Sequence, residues 1–323
     1  MNQQYDITVI VGTYNPQWEK LKATLCSIVD QKNINSQIVV SDDGSLEPLH
    51  VEIKDFFKRI GFCNYKLVRG EKNEGTVCQF YRGICAADAE YIKPISPGDL
   101  LYDDMVLSEW LAFTKETNAD ITFGDAVFYN MKNGKLNIVR HRHNPRNMSI
   151  YRTSSSYRDL IINYVCLEDG ISGATKIVRK KVLAYYMKFL LNNVIYVEDF
   201  FIRLAVLDER KILYYPSKVI WYEYGDGGIS TSGNSKWNKL MLKDNIAMDV
   251  ICFDKCLKPN TEIQSWLLEI IEFKNLIHPT KCKKLARYLR HPKWLYWRIY
   301  SELFGEFSPT NVDDVFFNHC HEN

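Results

Sequence analysis

The sequence predicts an α/β protein with a mostly parallel sheet flanked by helices, followed by a helical C-terminal region. Three observations support this prediction. Short, β-branched apolar runs alternate with segments of helical spacing in the first part of the chain, the pattern of a parallel sheet with right-handed crossovers. Polar residues stand where several of these runs end. Beyond Ser235 only helical spacing remains.

Four strands with three intervening helices are expected at the start of the chain. The run DITVIVGT is apolar and β-branched throughout, as in a strand that is buried on both faces. The predicted strands are Asp6–Thr13, Gln37–Ser41, Tyr65–Arg69 and Tyr91–Ile95, and the predicted helices are Trp18–Gln31, Glu47–Ile60 and Thr76–Ala87.

The rest of the chain is expected to extend the sheet and then become helical. Further predicted strands are Asp120–Tyr129, Leu136–Arg140, Ile212–Tyr215 and Lys218–Tyr224, and further predicted helices are Leu100–Thr117, Val178–Leu191, Trp237–Leu257, Thr261–Ile277, Lys281–Arg290 and Trp294–Phe304. We therefore divide the chain into an α/β domain, residues 1–235, and a C-terminal helical region, residues 236–323.

Composition narrows the class of protein. The chain has 323 residues, of which 46% are hydrophobic and 25% charged, as in ordinary globular domains. A net charge of only +2 provides no basic field for nucleic acid. No apolar run reaches the roughly 18 residues that span a bilayer. The first residues lack a signal-peptide pattern and nine cysteines without dense clustering fit reduced thiols, so we expect a cytoplasmic location.

Three predicted strand ends carry polar clusters: Thr13-Tyr14-Asn15, Asp42-Asp43-Gly44-Ser45 and Pro97-Gly98-Asp99. Such residues also make turns, which is the alternative explanation for each cluster alone. Because parallel strands end at one edge of a sheet, the three together favour a binding site. An aromatic ring beside a carboxylate suits a nucleobase, since Tyr14 can stack on the base while Asp43 accepts from a ring N–H.

Asp99 follows the fourth strand, YIKPI, and the turn Ser96-Pro97-Gly98. A carboxylate at this place is a hard oxygen ligand that can hold a divalent cation against a diphosphate. The alternative is that Asp99 caps the helix that follows. Neither a G-x-G-x-x-G loop nor a G-x4-G-K-[ST] loop is present. The usual nucleotide-binding motifs therefore do not decide whether Asp99 binds a metal or caps a helix.

The runs TVIVGTYN and IVVSDDGS, an N-x-G turn and an acidic turn after the fourth strand together resemble bacterial family 2 glycosyltransferases of the GT-A fold. The resemblance covers roughly residues 6–104. It implies a nucleotide-sugar donor, usually UDP-linked, a Mg²⁺ or Mn²⁺ ion and inversion at the anomeric carbon. The sequence departs from the family's D-x-D or D-D metal motif, because Gly98 precedes a single Asp.

The resemblance also assigns roles to residues. It implies that Thr13, Tyr14 and Asp43 bind the nucleoside, that Asp99 binds the metal, and that Arg82 contacts the diphosphate. The wider predicted donor site adds Asn15, Asp42, Asn73, Gly75, Gly98 and Ser230. Ser230 belongs to a Gly-rich loop at residues 225–231, which is either a linker between domains or a lid that closes over the diphosphate.

Glu198 and Asp199 open a predicted helix that ends at Asp208. Two acids in a first helical turn stabilise the helix N-terminus, which is the plain explanation. The pair also resembles the E-D motif of family 2 enzymes, whose Asp is the general base. Direct inversion needs a group that removes the proton of the acceptor hydroxyl, and a positioned carboxylate can do so. The resemblance assigns this role to Asp199, with Glu198 beside it.

Residues 281–304 are basic and aromatic. No Asp or Glu lies among the seven cations between Lys281 and Arg298, and a helical projection separates Lys283, Arg287 and Arg290 from Cys282, Leu285, Ala286 and Leu289. Trp294 and Trp297 follow, and Trp favours the membrane interface. We expect a surface anchor on the inner face of the cell membrane. The alternative is that these aromatics pack onto the catalytic domain.

The sequence thus predicts an inverting glycosyltransferase that uses a glycan or a lipid-linked acceptor in the biosynthesis of capsular or other surface polysaccharide. Two other classes remain open. One is a sugar-phosphate nucleotidyltransferase, which shares this kind of sheet but has a G-x-G-T-R-like loop where this chain has GTYNPQW. The other is a non-catalytic nucleotide-sugar-binding protein, which the single acid at Asp99 favours.

Overall fold

The computed structural model describes residues 5–152, 156–225, 235–255, 261–276 and 281–322, and a nine-stranded sheet forms its centre. The strands are β1 (Ile7–Thr13), β2 (Ser36–Asp42), β3 (Tyr65–Arg69), β4 (Tyr91–Ile95), β5 (Leu100–Leu101), β6 (Ile121–Lys132), β7 (Lys135–Ile138), β8 (Lys176–Arg179) and β9 (Ile212–Glu223). Their order is β3-β2-β1-β4-β8-β6-β9-β5, and β7 pairs with β6.

The sheet is parallel where the sequence predicted it to be. β3, β2, β1 and β4 run parallel, with Thr13 opposite Asp42 and Val11 opposite Ile95. β8 is antiparallel to both β4 and β6, and β9 is parallel to β6. The predicted mixed α/β class with flanking helices is therefore confirmed, and the ends of β1, β2 and β4 meet at one edge.

Helices cover both faces of the sheet. The α-helices are α1 (Trp18–Val29), α2 (His50–Ile60), α3 (Thr76–Ala86), α4 (Val106–Glu116), α5 (Ser149–Arg152), α6 (Tyr157–Ile161), α7 (Lys180–Leu190), α8 (Phe201–Leu207), α9 (Ser235–Lys255), α10 (Thr261–Lys274), α11 (Lys281–Arg290), α12 (Pro292–Phe304) and α13 (Val315–Glu322). β1 alternates between two cores, since Ile10 packs in one cluster and Val9 and Val11 pack in the other.

The predicted helix Leu100–Thr117 was wrong at its start. Leu100 and Leu101 are fully buried and form β5 against β9, and α4 begins only at Val106. The Asp103 carboxylate accepts from the backbone N–H groups of Met105 and Val106 and so caps α4. Asp99 therefore does not cap this helix.

Two other predictions need correction. The two closing strands, Ile212–Tyr215 and Lys218–Tyr224, are the single strand β9. Its pairing with β6 shifts register near Asp125, and this irregularity accommodates Pro216. The helix α13 was not predicted, and its Phe317 and Cys320 are buried in the same cluster as Leu25 of α1.

The C-terminal helices pack directly against the α/β part. Met248, Trp266 and Trp294 share one hydrophobic cluster with Phe201 of α8. Within this contact Arg203 of α8 pairs with Asp249 of α9 at 2.6 Å, with both side chains buried. None of the described helices is long and apolar enough to cross a membrane. The division at residue 235 stays a prediction.

The pair between Arg203 and Asp249 gives a test of this docking. Asp249 also accepts from Lys274 of α10, so Asp249→Asn leaves these two cations with only the half-exposed Glu168 as counter-charge. We expect the free energy of unfolding in urea to fall by about 3 kcal/mol. Asp254→Asn, on an exposed position of the same helix, is the control and should change it by less than about 0.5 kcal/mol. Equal effects of the two substitutions would contradict the docking role of the pair.

Candidate active site

A cleft of about 1090 Å³ lies at the strand ends of the parallel part of the sheet. Tyr14, Asn15 and Asp99 line one side of it, and Glu198 and Asp199 line another. Arg298 and Ser301 of α12 also line the cleft, so a C-terminal helix forms part of its wall. The cleft therefore brings together the strand ends and the two acids that were predicted from distant parts of the sequence.

Asp42, Thr13 and Asn15 hold the loops of the site together. Asp42 is buried and accepts from Thr13 Oγ1 at 3.3 Å, from the Ser45 hydroxyl and backbone N–H, and from Arg69 Nε at 3.1 Å. Asn15 joins the first loop to the second, since its N–H donates to Ser45 Oγ and its side chain accepts from the Leu46 N–H. These polar groups find their partners inside the protein, and their predicted contacts with a nucleoside stay predictions.

One carboxylate oxygen of Asp43 is buried without a hydrogen-bond partner. Its Oδ2 accepts from the N–H groups of Gly75, at 2.7 Å, and Glu74, at 3.1 Å, whereas Oδ1 is buried without a hydrogen-bond partner. Burial raises the pKa of the Asp43 carboxyl above its ordinary value. Tyr14, with 47% of its surface exposed, follows Thr13, whose carbonyl accepts from the Asp43 N–H. A ligand N–H would satisfy the orphaned oxygen, as a nucleobase can.

The N-x-G turn shapes the Asp43 pocket. Gly75 has φ +93°, and a side chain there would collide with Ile195, so the turn requires glycine. Arg82 pairs with Glu74 at 2.7 Å, and its Nη1 lies 3.7 Å from Asp43 Oδ1. Arg82 thus lies beside the predicted nucleobase contact at Asp43. Asn73 is exposed beside the turn. Neither residue lines the cleft, and a diphosphate contact of Arg82 stays a prediction.

Asp99 lies in the cleft wall, and its environment is mostly buried. Its Oδ1 accepts from the Glu223 N–H at 3.1 Å, and burial raises the pKa of Asp99 to about 7. Gly98 has φ +97°, and a side chain there would collide with the Glu223 carboxylate. The backbone conformation and Glu223 together explain why glycine stands where the family motif has an acid.

A divalent cation fits this place only if the ligand helps to hold it. The described part of the chain holds no group of three or more His, Cys, Asp and Glu side chains that could bind a metal. Asp99 has Glu223 beside it, and Lys20 pairs with Glu223 at 2.6 Å. Mg²⁺ and Mn²⁺ sites of this kind complete their six oxygens with diphosphate and water. The residues present therefore fit a cation that is shared with a diphosphate.

Asp199 is the accessible member of the second acidic pair. It lies in a 3-10 turn, Glu198–Phe200, before α8, and its side chain is 29% exposed in the cleft. The buried Lys176 of β8 forms an ion pair with it, and Gly173 lies directly against its carboxylate. Lys176 thereby orients Asp199.

Glu198 is half-buried next to Asp199. Thr76 donates a hydrogen bond to it, and burial together with the Asp199 charge raises the pKa of Glu198 to about 7. Both acids thus line the cleft, but Glu198 accepts a hydrogen bond from Thr76 whereas Asp199 is held by Lys176. Asp199 has the better geometry for a base.

Sequence reasoning missed Lys20, Lys176 and Glu223. Lys176 stands at the start of β8, directly before the apolar pair Ile177 and Val178, and this position was the available signal for a buried cation. Ser230 and residues 226–231 of the Gly-rich loop lie outside the described residues, so the lid stays a prediction.

Comparison with known proteins identifies relatives of this fold. The sequence model described as "Glycosyl transferase family 2" matches residues 8–184, more than half of the chain. No curated protein matches the sequence. Among solved structures, S. aureus TarS 1-349 in complex with UDP-GlcNAc has a TM-score of 0.54 at 17% identity, over 91% of this chain and 81% of that one.

A second solved structure is similar over nearly the whole chain. The mannosyltransferase PcManGT from Pyrobaculum calidifontis, in complex with GDP-Man and Mn²⁺, has a TM-score of 0.58 at 13% identity, over 94% of this chain and 81% of that chain. This chain spans 43% of the length of the longer TarS structure. At these identities the structural likeness establishes the fold alone.

The unsatisfied oxygen of Asp43 leads to a binding test. Asp43→Asn keeps an acceptor for the Glu74 and Gly75 N–H groups but turns an N–H donor toward the base. We expect the affinity for UDP, measured by calorimetry, to fall about ten- to a hundred-fold. Asp88→Asn is the matched control. Asp88 accepts a hydrogen bond from Gln37, which lies at the end of β2 opposite to the site. Unchanged UDP affinity in Asp43→Asn would show that Oδ1 does not contact the base.

Proposed function

Because the chain belongs to glycosyl transferase family 2, we propose that it is an inverting, metal-dependent glycosyltransferase that moves a sugar from a nucleotide sugar to an acceptor hydroxyl. The observation that carries this proposal is Asp199, an accessible carboxylate that shares one cleft with Asp99. One acid serves the donor side of the cleft, and the other serves the acceptor side.

The donor site is built from Tyr14, Asp43 and Asp99. Tyr14 stacks on the base, and Asp43 Oδ1 accepts its ring N–H. The uracil ring has one such N–H, at N3, and guanine also has one, at N1, so the Asp43 oxygen without a hydrogen-bond partner fits either base. We take UDP as the nucleotide because it is the usual donor nucleotide in the family that the sequence resembles. A divalent cation held by Asp99 and the diphosphate, when bound, supplies Lewis-acid stabilisation of the leaving group.

The acceptor reaction uses Asp199 as the base. The acceptor oxygen forms the new bond to the anomeric carbon while the bond from that carbon to the diphosphate oxygen breaks, and the nucleoside diphosphate leaves. The acceptor proton passes to an Asp199 oxygen. Lys176 holds the carboxylate in place, which keeps the oxygen within reach of the hydroxyl. Attack from the face opposite the leaving group inverts the anomeric centre.

The acceptor is a glycan or a lipid-linked glycan, and the pathway is the biosynthesis of a surface polysaccharide. The size of the cleft supports an extended acceptor, since Arg146 and Arg298 line it together with Asp199. A non-catalytic nucleotide-sugar-binding protein is the second candidate. The Lys20–Glu223 pair favours it, because an ammonium group near Asp99 competes with a metal for the same acids.

Replacing Asp199, the proposed general base, distinguishes a glycosyltransferase from a non-catalytic nucleotide-sugar-binding protein. Asp199→Asn keeps the shape of the side chain but cannot take the proton, so we expect the rate of sugar transfer to fall by roughly 10²- to 10⁴-fold. UDP affinity should stay near that of the unaltered protein. Asp208→Asn, just after the same helix, is the control. A transfer rate retained in Asp199→Asn excludes Asp199 as the base, and no turnover by the unaltered protein with any nucleotide sugar favours the binding protein.

The metal role of Asp99 can be measured without turnover. Asp99→Asn keeps an acceptor for the Glu223 N–H and removes the charge. We expect Mn²⁺ to increase the UDP affinity of the unaltered protein, and this increase to be at least about ten-fold smaller in the variant. Metal-free UDP affinity should not change. Asp104→Asn, in the exposed pair with Lys32, is the control. The same Mn²⁺ effect in both proteins would contradict the role of Asp99.

A further inference from the structure

The helix α12 has an exposed apolar face that the catalytic site does not use. Tyr296, Ile299, Leu303 and Phe304 recur at the spacing of one helix face, and each exposes about half or more of its surface, with Leu303 at 69%. α11 exposes Leu285 and Leu289 in the same way. We name the four α12 residues the outer face.

The opposite sides of both helices are turned inward. Trp294 is buried, and the guanidinium group of Arg287 lies 5.7 Å from the centre of its ring. Trp297 donates its indole N–H to Asp159 at 2.9 Å. These contacts correct the expectation from sequence, since Arg287 and Trp294 pack on the body of the protein and are not available to lipid. The leucines of α11 and the outer face are available.

Cations stand at both ends of the outer face. Arg290 and Lys293 precede it, and both side chains remain more than half exposed although each contacts an acid. Beyond its other end the guanidinium groups of Arg140 and Arg142 lie 4.2 and 4.6 Å from the ring centre of Phe307. No Asp or Glu occurs between residues 281 and 301, and Glu302, which follows, pairs with Arg146 and Arg298. An apolar strip flanked by cations is complementary to the acyl and headgroup layers of an anionic bilayer.

From this arrangement we infer that the outer face of α12, with Leu285 and Leu289 of α11, is a binding surface for an anionic lipid bilayer. The surface lies close to the catalytic cleft. Arg298 and Ser301, on the other side of α12, line the cleft, so one helix of about 10 Å diameter separates bilayer from cleft. If the proposed function holds, an acceptor carried on a membrane lipid reaches Asp199 without leaving the surface.

The test is co-sedimentation of the full chain with phosphatidylcholine vesicles, with and without phosphatidylglycerol, at low and high salt and without nucleotide. We expect binding that requires phosphatidylglycerol and weakens with salt. The double variant Ile299→Glu with Leu303→Glu should bind at least about ten-fold more weakly. Val51→Glu, an exposed apolar position on α2, is the matched control and should bind as the unaltered protein does.

UDP affinity in solution shows that each variant is folded, because none of the substituted residues lies in the proposed donor site. Binding of the double variant equal to that of the control would overturn the inference, and so would binding without preference for phosphatidylglycerol. Dimers in light scattering that the double variant abolishes, without vesicle binding, would identify the surface as a contact between two copies and also overturn it. Because no donor is present, failure of glycosyl transfer and failure of lipid binding are distinguishable.

Discussion

The parallel pairing of β1 with β2 and β4 is the constraint on which the candidate site depends. It ends three strands at one edge, and the register that sets Thr13 opposite Asp42 brings the two following loops together. The Asp43 N–H then donates to the Thr13 carbonyl, and the Asp43 side chain accepts from the Gly75 N–H of the N-x-G turn. The hydrogen bonds of Asp42 and Asn15 keep those loops in place. The sheet thus determines where these polar side chains lie. Their hydrogen bonds in turn leave the buried Asp43 Oδ1 without a partner.

Buried charge is the second feature that shapes the site. Lys93 of β4 is fully buried, and burial lowers its pKa to about 7, while burial raises the pKa of Asp99 to about the same value. Lys176 is buried and pairs with Asp199, beside the half-buried Glu198. Charges in a poorly solvated place are costly unless a partner is near. Both lysines have partners within the protein, since Lys93 donates to the carbonyls of Pro94 and Ala174 and Lys176 pairs with Asp199.

The parts of the fold that depend on local pattern could be predicted from the sequence, whereas the parts that depend on distant contacts could not. The first four strands were predicted within a few residues because β-branched apolar runs are strong local signals. The start of α4 was missed because the pairing of Leu100 and Leu101 with β9 overrides their helical spacing. Asp99 and Asp199 were predicted from motifs, and the fold places both in one cleft, while their roles stay predictions. Glu223 and Lys20 were not predicted, because only the folded chain brings β9 and α1 beside the turn at Gly98.

The position of α12 connects the C-terminal helices to the cleft. Arg203 and Glu168 belong to the α/β part, and Asp249 and Lys274 belong to the C-terminal helices. Although burial acts to raise it, the charges of Arg203 and Lys274 hold the pKa of Glu168 at about 2. This cluster and the packing of Trp294 fix the C-terminal helices on the catalytic part rather than leaving them as a separate anchor. α12 is therefore packed on the same part of the protein whose cleft it lines. The same rigid contact that makes α12 a wall of the cleft therefore determines which way its exposed apolar face points, and the orientation of the cleft relative to a surface follows from packing inside the protein.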